Sequence, residues 1–139
     1  MSQVSKVLHT AKTHTAGGRE NGGARSSDGR LDIRLSTPGS ARIGTNPEQL
    51  FAAAWSACFE SAIVQAARRR KTTLLANVAI EAEVDLNVAS DGPFLSARFN
   101  VSLPGLDRDT AQALIEEAHE FCPYSKATRG NIDVSINLV

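Results

Sequence analysis

An α+β fold, with antiparallel sheets packed around one long central helix, is predicted by three observations. A nearly all-apolar helical stretch runs from Pro47 to about Arg70. Segments of strict apolar–polar alternation flank it on both sides, and the elements do not follow the regular βαβ order of a parallel sheet. With 139 residues and 14.8 kDa, the chain is expected to form a single domain, residues 1–139, with one core.

The elements follow in order. Residues 22–35 predict a hairpin: Ala24, Arg25, Ser26 and Ser27 lead into Asp28-Gly29, a dipeptide suited to a tight turn, and Leu31, Ile33 and Leu35 follow with period two. Thr37 to Gly44 combines Pro, Gly and Ser without apolar period and reads as a loop. Asn46 is a suitable cap for the next helix, Pro47 suits its first position, and Gln49 can bond back to the cap. Leu50, Phe51, Trp55, Phe59, Ile63 and Val64, with Ala at 52, 53, 54, 57 and 62, make this helix apolar nearly all round. Such a helix must be covered on several sides.

Val78, Ile80, Ala82, Val84, Leu86 and Val88 alternate with Glu81, Glu83, Asp85 and Asn87, which predicts a strand with one wet face. Asp91-Gly92-Pro93 turns the chain into a second strand, Leu95 to Leu103. Asp107 or Asp109 opens a second helix bearing Ala111, Leu114, Ile115 and Ala118, which ends near Phe121. Ile132, Val134, Ile136 and Leu138 alternate again.

Composition narrows the function. Fifteen basic residues balance fifteen acidic ones, and the main basic run, Arg68 to Lys71, lies at the end of a helix, where cations complement the dipole. A nucleic-acid surface is not expected. The first thirty residues contain no apolar core of a signal peptide, and a cytoplasmic location is expected. Leu50 to Val64 is short for a membrane span and carries Glu60, so it reads as a buried helix. Gly22-Gly23 lies in the hairpin region rather than between a strand and a helix, so no nucleotide fingerprint is present.

Cys58 and Cys122 are the only cysteines. A cytoplasmic compartment keeps thiols reduced, so any pairing between them points to chemistry rather than to a permanent staple. Cys58 lies in mid-helix, away from the positive helix terminus that lowers thiol pKa values, and something else must activate it. As a small buried hydrophobe it would have no chemical role. Cys122, just before Pro123, stands near a helix C-terminus, where a thiolate is disfavoured. That position suits a late-attacking partner and an inert cysteine equally.

Longer motifs distinguish these readings. Thr13-His14-Thr15-Ala16-Gly17-Gly18-Arg19, Leu35-Ser36-Thr37-Pro38, Gly44 to Ala53, Ser56-Ala57-Cys58-Phe59, Ser102 to Leu106, Cys122-Pro123-Tyr124-Ser125 and Ala127 to Ile132 closely resemble the organic hydroperoxide resistance proteins of the osmotically inducible protein C superfamily. The resemblance covers nearly the whole chain in order. It implies an intertwined homodimer that reduces organic (alkyl or fatty-acid) hydroperoxides, with Cys58 as peroxidatic cysteine and Cys122 as resolving cysteine. It further implies Arg19 as activating cation, Glu48 as the acid that orients it, and a protein-bound dihydrolipoyl group as external reductant. No bound cofactor is expected. The loop between Pro38 and Gly44 is shorter than usual in the family, Trp55 replaces an expected Tyr and Ala54 an expected Gly. These departures bear on substrate preference rather than on the reacting groups.

Helix geometry adds a constraint. Glu48 and Cys58 are ten positions apart, about 15 Å along an unbroken helix, so they can share a site only if a second chain supplies one of them. Rival readings are a metal site using Cys58, Cys122 and some of His9, His14 and His119, which lack close ligand spacing; a non-catalytic redox sensor or apolar-ligand binding protein; and the sister branch of the superfamily with another peroxide preference. His119 is expected on the polar side of its helix. Phe51, Trp55, Phe59 and Phe121 are candidates to line an apolar pocket.

Overall fold

The central helix and the alternating segments divide the computed structural model, which describes residues 5–75 and 78–139, into two compact units, Met1–Pro47 and Glu48–Val139. The first is a three-stranded antiparallel sheet of β1 (Thr13–Ala16), β2 (Gly23–Ser26) and β3 (Asp32–Arg34), with a one-turn helix α1 (Gly18–Asn21) between β1 and β2. The predicted hairpin is β2–β3: Gly29 adopts φ +74°, its N–H donates to the Ser26 carbonyl at 3.0 Å, and Asp28 accepts from the Ser26 hydroxyl at 2.6 Å. The sequence reading missed β1 and α1, because four-residue elements are too short for a period to register. Backbone geometry carries them instead: Gly17 and Gly18 both adopt positive φ, where a side chain would be strained. In the loop after β3, Arg42 donates to the carbonyls of Leu35 and Gly22 at 2.9 and 3.2 Å and pins a segment that has no regular structure of its own.

In the second unit, α2 (Pro47–Arg69) is a single unbroken helix, as expected to within a residue. β4 (Ala79–Ala89) and β5 (Gly92–Ser102) pair antiparallel over their full length, placing Ala82 opposite Phe99 and Val84 opposite Ala97. α3 (Arg108–Phe121) starts at Asp107, whose carboxylate accepts from the Thr110 N–H, and α4 (Pro123–Thr128) follows at once. β6 (Asp133–Leu138) then joins β5 in parallel, giving the order β4-β5-β6. The two helices make the crossover that a parallel neighbour requires, whereas a short hairpin would have reversed the strand.

Trp55, Phe59 and Ile63 of α2 enter a core with Phe99 and Val101 of β5 and Leu114 of α3, all fully buried. The ring of Phe99 is the centre of this packing, edge-on to Trp55 at 4.9 Å and to Phe59 at 5.6 Å. On the sheet's other face Arg98 binds Asp85 through both terminal nitrogens, at 2.6 and 3.0 Å, and its cross-strand neighbour Glu83 through Nε. By length and composition α2 could cross a membrane, but its Trp55–Phe59–Ile63 face is packed as the core of a globular unit. Only 33% of its most apolar stretch is buried within one chain, and Ala53, Ala57 and Ser61 form an exposed stripe of small residues at i, i+4, i+8.

His119 is not on the polar side of its helix. Its ring packs on Phe59 at 6.4 Å, and its Nδ1 is buried without a partner among the described residues. Burial first, and then the charge of Arg129, push its pKa down. Protonation is therefore less favourable folded than unfolded, so His119's contribution is present above its unfolded pKa of about 6.5 and is lost as pH falls through the lower folded value. The fall in urea midpoint from about pH 7.5 to about pH 5 should accordingly be smaller in His119→Gln than in the wild type; an equal fall would show that His119 carries none of the acid sensitivity.

Candidate functional site: a thiol pair at a helix junction

Cys58 occupies the exposed flank of α2, one residue before core-facing Phe59, and is half-buried. Cys122 is completely buried at the break between α3 and α4. Its N–H donates to the Ala118 carbonyl at 2.8 Å and closes α3, while its carbonyl accepts from the Lys126 N–H at 2.9 Å and opens α4. Pro123 thus ends one helix and starts the next, its missing N–H costing nothing at a first-turn position. The expected C-terminal location of Cys122 is correct but incomplete, since the same residue caps α4.

The Cys122 thiol neighbours that of Cys58, and both cysteines are free. Burial pushes the Cys58 thiol up from its ordinary value, the neighbouring Cys122 thiol adds to this, and the Tyr124 backbone N–H opposes it. Within unit 2, then, Cys58 is held protonated rather than activated. The Tyr124 amide was not anticipated from sequence, although Pro123 signals it: a proline at the first helical position leaves the next amide as the first unsatisfied donor of the turn.

Two contacts fix the junction. Trp55 Nε1 donates to the buried Ser125 hydroxyl at 3.2 Å, tying α2 to α4 one turn before Cys58. Arg129 donates to the His119 carbonyl at 2.5 Å and holds the end of α4 against the end of α3. A cavity of about 350 Å³ opens beside Cys58, with Ser61, Ala62, Gln65 and Arg69 of α2 along one side and Phe121 and Pro123 along the other. Of the four aromatic residues expected to line a pocket, Phe121 lines this cavity, with 63% of its surface exposed. Trp55 and Phe59 are closed in the core, and Phe51 packs on Trp55 and Tyr124.

Glu48 lies in the first turn of α2, ten positions before Cys58 on the same unbroken helix, and so about 15 Å away along the axis. Arg19 lies in α1 of the first unit. Among the described residues no three His, Cys, Asp or Glu side chains gather as a metal site, and His9 and His14 are exposed.

Two free thiols, one on the long helix and one at the junction of the two helices that follow the β4–β5 ribbon, are the candidate reacting groups of this α+β unit. The model for OsmC-like proteins matches residues 37–137, and the chain belongs to that family. Its relatives include an organic hydroperoxide resistance protein of Xanthomonas axonopodis pv. citri, 44% identical with 99% of both chains covered. OhrB of Bacillus subtilis, also named an organic hydroperoxide resistance protein, is 44% identical over 95% of this chain and 98% of its own. The crystal structure of that OhrB matches with a TM-score of 0.89, over 96% of this chain and all of the other. A Legionella pneumophila organic hydroperoxide resistance protein matches with the same score at 42% identity.

Trp55→Phe should lower stability by about 2 kcal/mol, since it strands the buried Ser125 hydroxyl as well as deleting ring atoms. In a double-mutant cycle with Ser125→Ala, a coupling of about 1 kcal/mol in urea unfolding is expected. Simple additivity would mean the bond contributes nothing.

Proposed function

We propose that the protein is a cytoplasmic thiol peroxidase that reduces organic hydroperoxides to alcohols, a role in resistance to oxidative stress. The observation that carries this reading is the half-buried Cys58 thiol, which opens on a partly apolar cavity with a second, fully buried thiol beside it. The relatives named for organic hydroperoxide resistance support the substrate class.

The Cys58 thiolate attacks the outer peroxide oxygen. The O–O bond breaks, the alkoxide takes a proton and leaves as the alcohol, and Cys58 becomes a sulfenic acid. The Cys122 sulfur then displaces hydroxide, which leaves as water, and a Cys58–Cys122 disulfide forms before further oxidation. An external dithiol, a protein-bound dihydrolipoyl group on the family resemblance, returns the pair to thiols and is itself oxidised to the cyclic disulfide. No bound cofactor takes part.

Arg19 is the proposed activator. Its charge never titrates near neutrality, so beside Cys58 it would offset the burial that keeps the thiol protonated. Thiolate formation alone gains little, because an ordinary thiol is already a few per cent ionised at neutral pH; most of the acceleration must come from aligning the O–O bond and stabilising the departing oxygen. Glu48 is proposed to orient Arg19. Since α2 is unbroken, Glu48 reaches a given Cys58 only from a second subunit, and the exposed Ala53–Ala57–Ser61 stripe is small enough for a second helix to approach closely. The reading is therefore a homodimer with composite sites.

In Cys58→Ser, organic peroxide consumption should fall to background. In Cys122→Ser, it should stop after one equivalent per subunit, with one oxygen gained by intact mass. In Arg19→Ala the rate of Cys58 oxidation should rise steadily with pH above neutrality, where the wild type is flat. A wild type that turns over only once with dihydrolipoamide present would indicate a sensor, and a fully active monomer would exclude the composite site.

A further inference from the structure

The chemistry above leaves Arg69 without a role, although it lines the same cavity as Cys58. We propose that Arg69 is a specificity-determining residue that receives the carboxylate of an anionic long-chain hydroperoxide whose alkyl chain lies along α2 and whose peroxide reaches Cys58. The inference rests on the peroxidase reading.

Cys58, Ala62, Gln65 and Arg69 follow one another at helical spacing, so they form a single track with the thiol at one end and the guanidinium at the other. Ala62, the Phe121 ring and Pro123 supply the apolar middle. Eleven positions separate the ends, about 16 Å along the axis. Long side chains on a helix lean toward its N-terminus, which brings the guanidinium back toward the thiol and shortens that span. An extended chain advances about 1.2 Å per bond, so a carboxylate and a peroxide up to about thirteen bonds apart would fit both ends.

Among the described residues the charge of Arg69 is only partly balanced. The Glu117 carboxylate accepts from Nε of Arg69 at 2.6 Å and from Nε of Arg70 at 2.9 Å, so one negative charge serves two positive ones. Arg70 borders a separate recess where Glu116 and Glu120 add further carboxylates. Within one chain the recess of Arg69 is lined by no acid, and among the described residues its two terminal nitrogens have no acceptor. Its guanidinium lies 4.8 Å from the centroid of the exposed Phe121 ring. Stacked there and held through Nε, the planar fork is preset for a bidentate carboxylate.

The test compares wild type, Arg69→Gln, Arg69→Lys and, as a control that removes the second arginine from Glu117 without altering the groove, Arg70→Gln. Each is assayed on a mid-chain hydroperoxide of a long-chain carboxylic acid, on its methyl ester and on a small neutral alkyl hydroperoxide. Binding of the corresponding hydroxy acid and its ester is measured in parallel by calorimetry. Arg69→Gln should raise KM for the acid, and weaken binding of the hydroxy acid, about five- to tenfold, the modest size fitting a half-exposed ion pair. It should leave kcat and both neutral peroxides unchanged, with Arg69→Lys intermediate and Arg70→Gln near wild type. Equal effects on acid and ester, or an equal effect of Arg70→Gln, would overturn the role of Arg69. Should the wild type turn over none of the peroxides, the peroxidase reading fails, and loss of hydroxy-acid binding in Arg69→Gln alone would still identify the carboxylate site.

Discussion

The packing of one face of α2 against Phe99 is the interaction on which the rest of the second unit depends. Trp55, Phe59 and Ile63 recur at i, i+4 and i+8, and burying these three side chains fixes the rotation of the helix about its own axis. Once that rotation is set, Cys58 must emerge beside Phe59 on the flank turned toward the α3–α4 junction. Ser61, Gln65 and Arg69 follow on the same flank. Neither the cavity nor the thiol contact needs a separate cause.

The same packing sets the electrostatics. A thiol beside an apolar core and a second thiol is discouraged from ionising, which protects it from indiscriminate oxidation but leaves it sluggish. A fixed positive charge is the simplest remedy, because it acts on the thiolate without adding a second titrating group. In the proposed cycle Cys122 needs no such help: a thiol buried beside its target is kept from solvent oxidants, and its proximity replaces nucleophilic strength.

Legibility in the sequence followed the length and regularity of each element. The 23 residues of α2 and the long β4–β5 ribbon carry many periods and were read to within about three residues, the largest miss being the start of β5, where Gly92 and Pro93 already pair in the strand. β1, α1 and α4 span four to six residues and left no period to detect. The parallel entry of β6 is a consequence of the crossover, which alternation cannot express. At the candidate site, the motif resemblance pointed to both cysteines, whereas the Tyr124 amide and the burial of His119 are tertiary facts. Arg69 read as one member of a basic helix end, because nothing local separates it from Arg68 and Arg70; only the neighbouring Phe121 does so.

The double membership of Cys122 in α3 and α4 also bears on how such a chain can drift. Its N–H and its carbonyl are each committed to a different helix, so the backbone there has no slack, and a single residue inserted on either side would rotate the following turn by about 100°. The sulfur would then face away from Cys58. Length changes can accumulate in the loop after β3 or at the β4–β5 turn, which hold neither cysteine, while the spacing from Ala118 to Lys126 is closed to insertion and deletion however freely its exposed side chains vary.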